Sequence, residues 1–170
     1  MHRYIMLSAI FLIGFSPLKG VKRFTLPNGM RCLLKENHDQ PIASVQVWVR
    51  TGSINENDST NGISHVFEHM VFKGTQKYPK GEISRIVEAN GGMINAATSL
   101  EYTFYYIDIP STALHKALSI MSDAMMHCTF PEEELIKERK VILEEFNRQV
   151  DMPQAKLFDN LNAELYEETP

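Results

Sequence analysis

Two histidines and a glutamate, His65, Glu68 and His69, stand in H-x-x-E-H order inside the otherwise apolar run from Gly62 to Thr75. Each residue of an α-helix advances by about 100°, so all three fall within one wedge about 100° wide. Ile63, Val66, Phe67, Met70 and Val71 fill the rest of the circumference. A helix apolar nearly all round is predicted to be buried, and a polar wedge on it needs a partner there. A metal ion is the economical partner. Two imidazoles one turn apart can chelate zinc, while the carboxylate beside them takes a proton from water on the metal. Paired histidines also occur as ordinary core residues, but Glu68 argues against that reading, because an unpartnered carboxylate on an apolar helix is costly.

The surrounding sequence predicts the elements that position this helix. Arg23 to Lys35 reads as a hairpin turning at Pro27-Asn28-Gly29, since Asn-Gly supplies positive φ angles. Residues 42–50 alternate apolar and polar and read as a central strand. A polar loop, residues 55–61, leads into the histidine helix, with Thr60 or Asn61 as its expected N-cap and Gly74 as its expected stop. Pro79-Lys80-Gly81 opens a second helix over residues 82–89, closed by Asn90-Gly91-Gly92. Residues 93–98 and 103–109 read as two strands. Pro110-Ser111 starts a helix to about His127 with Leu114, Leu118, Met121 and Met125 on its core side, the methionines as filler.

Thr129-Phe130-Pro131 begins another helix, with glutamates where the dipole favours them. Leu135, Ile142, Phe146 and Val150 form its expected apolar stripe. Glu138 and Glu145 sit together at the edge of that stripe, whereas Glu144 points nearly opposite, to water. Glu132, Glu133, Lys137 and Lys140 read as a solvated face. This order of elements predicts an α+β domain, a mostly antiparallel sheet packed against helices.

A chain of 170 residues, 44% hydrophobic and 22% charged, is long enough to bury a core. Its net charge of −4 offers no basic patch for nucleic acid. Cys32 and Cys128 lack metal spacing; they could pair in an oxidising compartment, but two buried thiols is the favoured reading. A positive start, Met1-His2-Arg3, precedes an apolar run to Phe15, so residues 1–20 read as a signal or anchor. A cleaved signal, an uncleaved membrane anchor and an over-extended start all stay open. Export, to a bacterial periplasm or beyond the cell, is the expectation. The folded domain then occupies residues 21–170.

Four separated segments carry a family resemblance: His65-x-x-Glu68-His69, Phe72-Lys73-Gly74-Thr75, Asn95-Ala96-Ala97-Thr98 and the run from Glu138 to Glu145. Together they resemble the N-terminal domain of the M16 zinc peptidases, which include pitrilysin, insulin-degrading enzyme and the mitochondrial processing peptidases. The resemblance implies a half-domain of the LuxS/MPP-like metallohydrolase fold and an endopeptidase acting on extended peptides or short proteins. It implies Zn2+ held by His65, His69 and Glu145, with Glu138 in support and Glu68 as general base. It implies that Asn95 and Ala96 lie on an edge strand that pairs with substrate. A second homologous domain, in cis or as a partner subunit, is the further implication. A non-catalytic partner subunit of the same fold is the alternative. Such relatives usually lack the H-x-x-E-H residues, all of which are present here. A zinc store would need more ligands than the scattered His38, His115 and His127 supply.

Overall fold

The computed structural model describes residues 20–165, so the expected signal or anchor segment lies, apart from Gly20, outside the described residues. The chain divides into two compact units, Met1–Gln40 and Pro41–Pro170. In the first, β1 (Val21–Thr25) pairs antiparallel with β2 (Arg31–Lys35). The hairpin forms where the sequence predicts it, with a different turn. Only Gly29 takes a positive φ, of 87°. Asn28 instead accepts the Met30 N–H on its side-chain oxygen at 3.1 Å.

The second unit is built on a three-stranded antiparallel sheet ordered β3-β5-β4, where β3 is Ile42–Val49, β4 is Met93–Thr98 and β5 is Thr103–Pro110. The predicted central strand, β3, is therefore an edge, and β5 holds the centre. Alternation reports that one face is covered and is silent on the number of neighbours. Thus β3 turns Ala43, Val45 and Val47 inward while Ser44, Gln46 and Trp48 are exposed. On that open face Trp48 stacks on Phe104 with ring centroids 4.6 Å apart.

Helices cover the other face. They are α1 (Ile63–Val71), α2 (Glu82–Ala89) and α3 (Leu114–His127), the last entered through a single 3-10 turn, Ser111–Ala113. Val71, Ile83, Val87, Ile107, Ile109 and Ile120 close the core with at most 1% of their surface exposed. Each such side chain contributes about 1.5–3 kcal/mol of transfer free energy. The buried side of α3 is Ala117, Ile120, Met121 and Ala124, while Leu118 is exposed. The predicted stripe is off by about a quarter turn, because pattern reading favours large residues, whereas α3 brings two alanines against the sheet.

A long helix, α4 (Glu132–Val150), follows, with Pro131 at its N-cap. Its covered side is Glu134, Leu135, Glu138, Ile142 and Glu145, and Phe146 and Val150 are exposed, against expectation. Acids that are ion-paired lie where the hydrophobic pattern predicts hydrocarbon. Glu144, Glu132, Glu133, Lys137 and Lys140 are exposed as predicted. The sequence reading missed α5 (Pro153–Leu165), although Pro153 at its first position and Leu157, Leu161 and Leu165 at four-residue spacing signal it. Both cysteines are free and half-buried.

Candidate metal centre

The histidine helix forms as predicted and is capped differently. Its N-cap is Gly62 at φ 86°, which has no side chain to offer. The expected caps Thr60 and Asn61 do not serve. Glu56, from the preceding loop, accepts the Gly62 N–H at 2.6 Å and the Ser64 N–H at 2.7 Å. Burial pushes the Glu56 carboxyl up, but the bonds from Ser64 and Gly62 and the nearby His65 outweigh it, leaving it below its ordinary 4.5. A carboxylate at a helix N-terminus also meets the positive end of the dipole. Met70, Val71 and Ser64 of α1 are buried, while Ile63 and Phe67 are exposed. The helix is therefore covered on one side among the described residues, and not all round as its composition predicts.

Three donor atoms converge beside it. His65 Nε2 lies 3.2 Å from His69 Nε2, and Glu145 Oε2 of α4 lies 3.6 Å from the first and 3.5 Å from the second. A tetrahedral zinc with nitrogen and oxygen ligands at about 2.0–2.2 Å requires donor–donor edges of about 3.3–3.6 Å. The two edges to Glu145 lie in that range and the His65–His69 edge is about 0.1 Å short of it, so the residues present fit the ion with a small adjustment of the rings. Glu145 and the two histidines, from helices remote in sequence, are thus brought together as the resemblance implies.

A second layer fixes this triangle. His69 Nδ1–H donates to Glu138 Oε2 at 2.9 Å, which leaves its Nε2 lone pair facing the centre. Lys73 donates to the other Glu138 oxygen at 2.5 Å. Burial raises the Glu138 carboxyl, but Lys73 and then His69 outweigh it and hold it below 4.5. Glu68 accepts from the Thr98 hydroxyl at 2.5 Å. Beneath them Tyr105, 2% exposed, is pushed up to about 12, by burial first and by Glu68 second, and stays neutral.

Asn95 and Ala96 lie on β4, which pairs only with β5 among the described residues, so its outer edge is free. Asn95 is exposed on the open face and Ala96 half-buried on the helix side. His38, His115 and His127 are exposed, and the donor cluster found among the described residues consists of His65, His69 and Glu145 without them. Sequence reasoning gave no role to Glu56, Lys73 or Thr98. The last two lie inside quoted motifs, so their signal was position beside the site residues. Glu56 is one acid in a polar loop and had none.

An inverted H-x-x-E-H helix set against an antiparallel sheet, with a glutamate arriving from a later helix, is the arrangement of the inverted zinc-peptidase class. Residues 31–170 match the family described as "Insulinase (Peptidase family M16)". The chain belongs to the M16 peptidases, as its sequence resemblance indicated. It is 40% identical over 146 residues to the "Uncharacterized zinc protease YmxG" of Bacillus subtilis (strain 168), covering 86% of this chain and 36% of that protein. It is 36% identical over 146 residues to the "Probable mitochondrial-processing peptidase subunit beta" of Arabidopsis thaliana, covering 86% of this chain and 28% of that one. Among solved structures, a protease from Helicobacter pylori superposes with a TM-score of 0.73 at 33% identity, over 81% of this chain and 33% of that chain. The chain spans about a third of the length of these relatives.

Proposed function

We propose that this domain is the catalytic half of a zinc-dependent endopeptidase that hydrolyses extended peptides or short unfolded proteins. The observation that carries the reading is the triangle of His65, His69 and Glu145, whose edges of 3.2, 3.6 and 3.5 Å suit one four-coordinate zinc. Bound there, zinc supplies Lewis acidity that polarises the scissile carbonyl and makes a water nucleophilic near neutral pH. The remaining work belongs to the chain. Glu138 orients His69, and Glu68 accepts the proton of the attacking water and returns it to the leaving amine nitrogen. The free edge of β4 at Asn95 and Ala96 pairs with an extended substrate backbone.

A second homologous domain, on the same polypeptide or a partner subunit, completes the enzyme. Support comes from the greater length of the relatives, one of which is named a subunit, and from the exposed Phe146, Val150, Leu157 and Phe158 on α4 and α5. The apolar segment before Lys19 supports action outside the cytoplasm, by secretion or anchoring.

The test is Glu68→Gln in the assembled enzyme, followed with a quenched-fluorescence peptide and by zinc content. Zinc is expected to stay at one per site while hydrolysis falls by about 10²–10⁴-fold. Cleavage at the unmodified rate overturns the general-base assignment.

A further inference from the structure

We propose that Thr98 is a positioning residue for peptide hydrolysis, its hydroxyl holding the general base in register with the strand on which substrate is laid. The proposal rests on Glu68 acting as the base. Thr98 Oγ1 donates to Glu68 Oε2 at 2.5 Å, the one side-chain hydrogen bond of that carboxylate among the described residues. A glutamate has several rotatable bonds, so α1 alone fixes its Cα and leaves its carboxylate to wander. A hydroxyl donated to one oxygen removes that freedom and leaves the other oxygen available to a water.

Thr98 is itself held firmly. It is the last residue of β4, on the helix-facing side with Ile94 and Ala96, and it pairs with Thr103 of β5. Thr103 is buried and donates its hydroxyl to the Thr51 carbonyl at 2.9 Å. The bend after Thr98 closes through the Ser99 N–H to the Tyr102 carbonyl, at 2.8 Å. That bend also accepts the Ser53 and Ile54 N–H groups on the carbonyls of Ser99 and Leu100. Gly52 makes this approach feasible, since a Cβ there would come within 2.1 Å of the Ser99 carbonyl oxygen. The β-branched side chain adds a stiff χ1.

The consequence is geometric. A peptide added to the outer edge of β4 takes its register from the backbone of β4, and Thr98 carries that same register to the base through one bond. The scissile carbonyl and the proton acceptor then share a reference frame, although one is on a strand and the other on a helix.

The test compares Thr98→Val, Thr98→Ser and Glu68→Gln in the assembled enzyme, measuring kcat, KM, zinc affinity and thermal midpoint. Valine keeps the shape and removes the hydroxyl. Thr98→Val is expected to lower kcat by about ten- to a hundredfold, the range of a misplaced catalytic group, with KM and zinc affinity within about twofold. Thr98→Ser is expected to restore kcat to within about threefold of wild type. Unchanged kcat in Thr98→Val, with Glu68→Gln inactive, overturns the role of Thr98 and leaves the base standing. Activity in Glu68→Gln overturns the base itself. A fall in kcat that follows lost zinc or lost folded protein, or that serine does not rescue, makes Thr98 merely structural and overturns the proposal.

Discussion

Replacing Glu138 by glutamine separates the layer that orients the proposed metal ligands from those ligands themselves. The Glu138 side chain is 12% exposed and accepts two charge-assisted bonds, from His69 Nδ1 at 2.9 Å and from Lys73 Nζ at 2.5 Å. Glutamine has one acceptor oxygen, so one of the two donors must go unsatisfied, and its NH2 group faces a donor. If His69 is the loser, its ring is no longer locked with Nε2 toward the centre and its basicity falls. Loss of such an outer partner weakens metal binding by about 10–100-fold, or about 1.4–2.7 kcal/mol at ~1.4 kcal/mol per decade. The Lys73 side chain is 32% exposed, so its own share is small, about 0–1 kcal/mol. Glu138→Gln should therefore weaken zinc binding more than Lys73→Met, which should stay within about sixfold of wild type. Competition against a chromophoric chelator measures both, with circular dichroism reporting the fold. Wild-type affinity in Glu138→Gln, or a larger loss in Lys73→Met than in Glu138→Gln, refutes the reasoning.

Two further outcomes are expected. Glu145→Ala should weaken zinc binding by more than about a hundredfold, since it removes one of three donors, while the exposed Glu144→Ala should stay within about twofold; a reversed order in the same chelator competition shows that the α4 face is misassigned. Hydrogen bonds from Lys80 and Lys137 hold the Glu134 carboxyl at about 2 against an ordinary 4.5. A depressed folded value stabilises fully above 4.5 and loses that contribution as pH falls toward about 2. The urea midpoint gap between wild type and Glu134→Gln should be constant near neutrality and close below pH 4.5, and a gap that persists at about pH 2 refutes the assignment.

Much of this was legible in the sequence because the informative residues obey helix and strand arithmetic. The period of 3.6 places His65, Glu68 and His69 on one face, and the same arithmetic separates Glu145 from Glu144 on α4. Strands β4 and β5 and helix α2 fall at their predicted positions because glycine, asparagine and proline punctuate them. The illegible part is tertiary. Strand order cannot be read from alternation, so β3 was placed at the centre when it lies at an edge. The packed face of α3 depends on two alanines that pattern reading underweights. Glu56 and Glu134 are buried acids; the i,i+3 spacing shows Lys137 as a partner of Glu134, but sequence spacing carries no trace of its bond from Lys80 or of the bonds that Glu56 accepts from Gly62 and Ser64.

The pairing of β3 with β5 has a kinetic corollary. Between these two strands the chain runs through α1, α2 and β4, so the histidine helix lies inside a loop that must close before β3 joins the β4–β5 hairpin and completes the three-stranded sheet. Closing long loops is entropically uphill and slows folding in proportion to the nonlocality of the contacts. Glu145 lies beyond β5 again, on α4. Nascent helicity around His65 can therefore bring two imidazoles together early, whereas the full triad needs α4 packed beside α1, so capture of the proposed ion would report that this nonlocal contact has formed.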